Sequence, residues 1–203
     1  FLSKIPADSK ILEIGAGMGE HTGFLLKRSN NLCATDISSN SVEVIKKKFS
    51  SYKSFTAQVA DMEKLPFKNN EFDFVCSAGS LSYGNNIKVM NEIYRVLVNG
   101  GSFISVDTLN NNLIFRFNRY VHYLKGRRTK NTLKRMPNIK LLEEYKKKFG
   151  HIEVKYHGSL TWLFPILKLF LKEKTINRLS IKFDKKFRIR GSAFKFIMKA
   201  TKL

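Results

Sequence analysis

Lys10 to Asp36 reads Lys-Ile-Leu-Glu-Ile-Gly-Ala-Gly-Met-Gly-Glu-His-Thr-Gly-Phe-Leu-Leu-Lys-Arg-Ser-Asn-Asn-Leu-Cys-Ala-Thr-Asp. An apolar run, Ile11, Leu12 and Ile14, breaks into three glycines at alternating positions, Gly15, Gly17 and Gly19. A short helical segment follows with Phe24, Leu25 and Leu26 on its apolar side, and a second apolar run, Leu32 to Ala34, leads to Asp36. The order strand, glycine turn, helix, strand, acid has the logic of a nucleoside-binding crossover. Glycines let the backbone turn tightly and let a ligand approach where a Cβ would stand, and the helix N-terminus offers unpaired amides. The acid falls 21 residues after Gly15, at the expected carboxyl end of the neighbouring strand, where it can accept two hydrogen bonds from a ribose diol. The competing reading is a glycine-rich turn that binds nothing, with Asp36 capping a helix that begins near Ser38.

Downstream, Ser38 and Ser39 read as caps of a helix from Asn40 to Phe49, with Val42, Ile45 and Phe49 at helical spacing. Residues 54–59 alternate as a third strand, and Leu65 to Glu71 turn the chain into a fourth, Phe72 to Ser77. The small and polar tract from Ala78 to Asn86 predicts an active-site loop. A helix is expected over Ile87 to Val98, stopped by Asn99-Gly100-Gly101, with a fifth strand over Phe103 to Asp107. Five strands with intervening helices imply a mostly parallel sheet.

Beyond Asp107 the texture becomes aromatic and basic. Phe115, Phe117, Tyr120 and Tyr123 alternate with Arg116 and Arg119, followed by Lys125-Gly126-Arg127-Arg128-Thr129-Lys130. Pro137 ends a short segment from Leu133 to Met136; Ile139 to Phe149 predicts a helix and 151–157 a sixth strand. Residues 161–171 are almost entirely apolar, closed by Lys172-Glu173-Lys174; a basic segment runs on to Arg190, and Ser192 to Ala200 reads as a last strand.

Charge divides the chain unevenly. Of the net +21, residues 1–110 contribute +1 and residues 111–203 contribute +20, so the basicity belongs to the second half, and a field of that size draws in anions. No apolar run approaches the roughly 20 residues needed to span a bilayer. The 161–171 run has the length and flanking lysines of a segment lying in a membrane interface, while a buried or dimer-forming helix would account for it equally. Cys33 and Cys76 fall in strands expected to have one strand between them, roughly 9.6 Å apart. That is too far for a disulfide and points to a reducing cytoplasm. The chain begins at Phe1 without an initiating Met, so further residues upstream are one expectation.

The residues resemble the Rossmann-like, class I S-adenosylmethionine-dependent methyltransferases. Four blocks carry the resemblance: Ile11 to Gly19 with Asp36; Ala60-Asp61-Met62-Glu63-Lys64-Leu65-Pro66-Phe67; Phe72-Asp73-Phe74-Val75; and Asn91-Glu92-Ile93-Tyr94-Arg95-Val96-Leu97 with Gly100-Gly101. The resemblance implies an α/β fold, a seven-stranded sheet with the last strand antiparallel and helices on both faces. It also implies a single methyltransferase domain over 1–203, divided into a cofactor-binding half, 1–110, and a basic substrate-binding cap, 111–192. Gly15, Gly17 and Gly19 would face the methionyl part of S-adenosylmethionine, Asp36 the ribose, Asp61 the adenine amino group and the Met62 amide a ring nitrogen. Glu13 would help to hold the amino end. A nicotinamide nucleotide fits less well, because its third glycine falls one residue later than Gly19.

The basic half is also similar to methyltransferases of bacterial clusters for cell-surface polysaccharides, through Asn118 to Leu124, Gly126 to Thr129, Thr132 to Pro137 and Ser192 to Phe196. Methyl transfer to a sugar hydroxyl is an in-line displacement that benefits from a general base. His122 is the candidate base, with Asp107 to orient it or the hydroxyl and Tyr83 to line the acceptor site; each has an ordinary packing, capping or surface role as its alternative. His21, just after the glycines, is a candidate for the cofactor's carboxylate, with solvent exposure as its alternative. Arg116, Arg119, Arg127, Arg128, Lys134 and Arg135 are the candidate phosphate grip, since guanidinium offers paired donors; the alternative for each is a solvated surface charge. No metal is required. The expected acceptor is an anionic glycan, nucleotide sugar or lipid-linked sugar, handled in the cytoplasm with peripheral contact at the inner membrane. An RNA methyltransferase and a non-catalytic membrane-associated scaffold are the alternatives.

Overall fold

The computed structural model describes residues 1–29, 31–187 and 189–203. Strands β1 (Ile11–Ile14), β2 (Leu32–Asp36) and β3 (Phe55–Val59) are joined by helices α1 (Thr22–Leu26) and α2 (Ser39–Lys48). β4 (Phe72–Ala78), α3 (Asn86–Val96) and β5 (Leu97–Thr108) follow, then helices α4 (Leu113–Leu124), α5 (Lys130–Arg135) and α6 (Ile139–Phe149). β6 (Gly150–His157), α7 (Phe164–Leu167), α8 (Glu173–Lys186) and β7 (Lys195–Lys202) complete the chain. The seven strands form one sheet in the order β3-β2-β1-β4-β5-β7-β6, with β7 antiparallel to both neighbours. This is the sheet expected from the sequence.

Alternation along the strands sends apolar side chains to two faces. Leu12, Ile14, Val75, Phe103, Phe196 and Met198 pack with α3 and α6 in one core. Ile11, Ala34, Cys76 and Ile104 pack with α1 and α2 in the other. β1 separates β2 from β4, so Cys33 and Cys76 are unbridged, two strands apart.

Two separated sequence blocks form one staple beside the sheet. Arg95 donates to the carbonyls of Phe67 at 2.7 Å and Leu65 at 3.0 Å and forks onto Glu92, whose Oε2 accepts from the Leu65 amide at 2.7 Å. The Leu65-Pro66-Phe67 turn is therefore held by α3, and the guanidinium beside Glu92 keeps that carboxyl below its ordinary range.

Several boundaries differ from expectation. The helix expected through Val98 ends at Val96, and Gly100-Gly101 lie inside β5 rather than stopping a helix. Leu97, fully buried, pairs with Phe72, and a Cβ on Gly101 would crowd the Asp73 carbonyl; burial and pairing outweigh another half-turn. The apolar run 161–171 is a tight turn, Thr161–Leu163, followed by the four-residue α7, broken where Pro165 takes a first-turn position. The basic segment beyond it contains α8, which buries Ile176 and Ser180; Arg188 lies outside the described residues. The last strand starts at Lys195 rather than Ser192, because Ser192 accepts from the Trp162 indole N–H at 3.0 Å and is held out of the sheet. Phe24, expected on the apolar side of its helix, is 58% exposed.

Candidate functional site

β1, β2 and β4 end together, and their carboxyl edge carries the glycine turn. Gly15, Gly17 and Gly19 all have positive φ, at 62°, 56° and 74°. A Cβ on Gly15 would overlap Ser80, in the turn after β4, so the two loops touch only because Gly15 has no side chain. At Gly17 the same position meets nothing within 4 Å, an open approach for a ligand.

Asp36 closes this turn. Its Oδ2 accepts from the Gly17 amide at 2.8 Å, its Oδ1 from the Ser38 amide at 3.0 Å, and its carbonyl from the Ala60 amide at 3.0 Å. The glycine turn, the end of β2 and the end of β3 are thus tied together at one residue, and the helix that follows is capped by Ser38, whose hydroxyl accepts from the Ser41 amide, rather than by Asp36. Asp61 lies beside it, exposed, with Oδ1 accepting from the Glu63 amide at 2.8 Å. Met62 is half-buried against Gly84, which ties this loop to the one after β4.

Beneath the glycines Glu13 is buried, its Oε2 accepting from the Thr22 hydroxyl at 2.6 Å. Burial pushes its carboxyl up to about 7, with the Thr22 bond opposing. Glu13 and His21 line a cavity of about 590 Å³ with Phe24, Gly79, Val106 and Ile197.

Tyr83 and His122, 39 positions apart in the chain, come to the same hollow. Both line a hollow of about 390 Å³ with Arg127, Arg128, Thr129 and Thr132. Asn112 caps α4 by accepting from the Ile114 amide at 2.8 Å, and Thr129 caps α5 by accepting from the Thr132 amide at 3.1 Å. These caps set the two helices that bring the hollow together. Asp107 does not line it: it is buried, with Oδ2 accepting from the Leu81 amide at 3.2 Å and Oδ1 from the Thr108 amide at 2.6 Å. Burial raises its carboxyl above the ordinary value, against those bonds and the attraction of Arg119. Its contacts join β5 to the turn that carries Tyr83.

The six candidate phosphate-binding residues divide four ways. Arg127 and Arg128 face the Tyr83 hollow. Arg116 and Lys134 line a second one of about 780 Å³ with Phe117, Tyr120 and Asn138. Arg119 is buried between the Phe115 and Phe194 rings, and its Nη1 donates to the Leu109 carbonyl at 3.0 Å and Asn110 Oδ1 at 2.8 Å. Burial pulls its guanidinium down to about 10, leaving it cationic at neutral pH. Arg135 donates to the Tyr83 carbonyl at 3.2 Å and lies 3.9 Å from Glu63.

Sequence reasoning missed Thr22, Ser80 and Glu63. Thr22 opens α1 and carried no motif; Ser80 lay in the loop expected to belong to the active site, but nothing singled it out within that loop. Glu63 stood inside a quoted block, yet its role is tertiary: it accepts from the Asn85 amide at 2.7 Å and pairs with Lys88 at 3.5 Å. Among the described residues no group of three or more His, Cys, Asp or Glu is placed to hold a metal ion.

Sheet order, glycine turn and strand-end acids define the class: the fold is that of the class I S-adenosylmethionine-dependent methyltransferases. Residues 12–105 match a family model described as a methyltransferase domain. Over 113 residues the chain is 29% identical to a sarcosine/dimethylglycine N-methyltransferase of Aphanothece halophytica, covering 51% of this chain and 39% of that protein. Over 105 residues it is 34% identical to a sterol 4-C-methyltransferase of Caenorhabditis elegans, covering 50% and 31%. The chain therefore spans well under half the length of these curated relatives. Among solved structures, a putative methyltransferase of Bacillus halodurans superposes with a TM-score of 0.66 at 17% identity, covering 99% of this chain and 95% of that one. A Haemonchus contortus phosphoethanolamine N-methyltransferase with S-adenosyl-L-methionine superposes at 0.67 and 20% identity, covering 99% and 50%. None of these four names a polysaccharide.

Proposed function

We propose that this protein is an S-adenosylmethionine-dependent methyltransferase that methylates a hydroxyl of a sugar or phosphate-linked glycan in making cell-surface polysaccharide. The observation that carries the reading is the cleft at the sheet's carboxyl edge, where a left-handed glycine turn, a strand-end aspartate and a buried glutamate converge.

The residues present fit that cofactor. Gly17 leaves room for close approach, Asp36 and Asp61 offer acceptors to a ribose and an adenine amine, and the Met62 amide suits a ring nitrogen. Glu13, neutral or half-ionised near pH 7, gains a partner in the amino end, whose positive charge draws its proton off. When bound, S-adenosylmethionine supplies a sulfonium-activated methyl carbon. The chain aligns the acceptor hydroxyl, excludes water and takes the hydroxyl proton on a ring nitrogen of His122. Tyr83 positions the acceptor opposite His122; Arg127 and Arg128 grip its phosphate with paired donors. Asp107 is a positioning residue that acts through the Leu81 amide.

The named relatives carry amine- and carbon-methylating activities in their descriptions, so the acceptor does not follow from the fold. The sugar assignment rests on the aromatic and cationic hollows of the basic half. The test incubates the protein with labelled methyl donor and, separately, nucleotide sugars, lipid-linked glycans and RNA. Label in a sugar fraction supports the proposal, and label in RNA alone overturns the acceptor. Absence of cofactor binding in calorimetry would leave a non-catalytic scaffold.

A further inference from the structure

Between β6 and β7 the chain leaves the sheet for residues 158–194. β6 and β5 are each antiparallel to β7, so β6 runs parallel with β5, and the excursion starts and ends at the edge that carries the glycine turn. α8 is fixed from beneath, with Ile176 and Ser180 buried and the Asp184 carboxylate accepting from the Gly158 and Ser159 amides at 2.6 and 3.1 Å.

What this anchoring leaves outside is apolar. Leu169 and Phe170 are 77% and 78% exposed, Ile166 is 56% exposed, and Leu179, Ile181 and Phe187 are about half exposed. A groove of about 440 Å³ between α7 and α8, lined by Leu163, Phe164, Leu167, Leu179 and Phe183, continues that surface. A contiguous exposed apolar patch marks a contact surface rather than chance exposure.

Cations surround the patch. Residues 164–187 hold seven Lys and Arg against two acids. Both acids are engaged, Glu173 with Lys168 at 3.3 Å and Asp184 with the two amides. The cations that remain would repel a second copy seated on the same surface. An anionic bilayer answers both features, because its acyl boundary takes the apolar tip while lysine stems reach back to headgroup phosphates.

We propose that the α7–α8 excursion is a peripheral membrane-docking element that seats Leu169 and Phe170 in the interface of an anionic leaflet. Among the described residues no helix is long and apolar enough to cross a membrane, so the contact is interfacial. Docking turns the cleft edge toward the leaflet and is independent of whatever reaction occurs there, so its failure and that of the methyl-transfer reading are separate results.

The full chain is sedimented with vesicles of phosphatidylcholine alone and of equal parts phosphatidylcholine and phosphatidylglycerol. The emission of Trp162, the sole tryptophan, is followed in parallel, since it lies in the turn leading into α7. Binding to the anionic vesicles at least about tenfold tighter than to the neutral ones, a blue shift of Trp162 and weakening with added salt are expected. Leu169→Ser with Phe170→Ser should lose about tenfold of that binding with an unchanged melting temperature, whereas Phe170→Trp should keep it. Absence of anionic-vesicle binding overturns the proposal. So does undiminished binding by the double serine variant, which would assign the attraction to diffuse charge. A concentration-dependent dimer that the double variant dissolves, with vesicles recruiting neither form, would assign the patch to self-association instead.

Discussion

The glycine-turn half and the basic half are built on different physics. Residues 1–110 are nearly neutral, with strands packed on both faces and a cleft whose groups are locked by backbone hydrogen bonds around Asp36. Residues 111–203 carry a net +20, and apart from α6, which buries Leu141, Leu142, Tyr145 and Phe149 in the core, their helices bury little: α4 buries Phe115 and Arg119, α8 buries Ile176 and Ser180, and α5 and α7 bury none of their residues. On the function proposed above, one half supplies fixed geometry and the other electrostatic recognition. Precise placement of a nucleoside needs a rigid backbone cradle; an anionic acceptor or surface needs charge that stays in reach of water.

The strongest way to break that contrast is Gly15→Ala. A positive φ costs a side chain about 1–3 kcal/mol, and overlap with Ser80 costs a similar amount. Calorimetry should find no cofactor binding and thermal melting should fall, whereas Leu124→Ser, at a 65% exposed position of α4, should leave both unchanged. A Gly15→Ala protein that still binds cofactor would mean the cradle is not rigid.

His122→Ala comes next. Loss of a general base should lower turnover by about 10²- to 10⁴-fold while cofactor affinity is kept. Equal turnover in the two proteins removes His122 from the chemistry and weakens the assignment of recognition to the basic half.

A third test uses pH. The folded Glu13 carboxyl sits at about 7 against an ordinary 4.5, so between these values the folded state holds a proton that the unfolded state has released. Stability from this group is complete below about 4.5 and is lost as pH rises through 7, by about 3 kcal/mol for a group this buried. Urea unfolding of the cofactor-free protein at pH 5 and pH 8 should show that loss, and Glu13→Gln should flatten it. Cofactor affinity should run the other way, rising through pH 7 as the carboxylate forms; parallel slopes in the two proteins would place Glu13 outside the cofactor site.

The smallest effect is expected at Tyr145, fully buried against Phe103, whose hydroxyl has no hydrogen-bond partner among the described residues. Removing that hydroxyl in Tyr145→Phe should leave stability unchanged or raise it by about 1 kcal/mol. A loss of that size would reveal a partner for the hydroxyl.

Legibility in the sequence followed the range of the forces. The glycine turn was readable because Gly15, Gly17 and Gly19 act within five residues. The cap at Ser38 was readable from its own residue type, but the end of α3 departs from expectation because Leu97 obeys its pairing with Phe72, 25 residues away, rather than the local glycines. Arg119 reads as one surface cation among six, since nothing near it in sequence announces that Phe115 and Phe194 will enclose it. The helix in the 173–190 segment was hidden by its lysines: Ile176 and Ser180, one turn apart, carry the buried stripe, and a serine gives no apolar signal.

By itself the sequence determined the strand-turn-helix-strand unit with its acid, the parallel sheet and the division of charge, because conformational preference and net charge are local or additive. Only the tertiary structure decided that Tyr83 and His122 line one hollow, that Arg119 withdraws from solvent, that Glu13 holds its proton to about pH 7 and that Leu169 and Phe170 stay outside. Burial and desolvation are sums over neighbours that chain order does not rank.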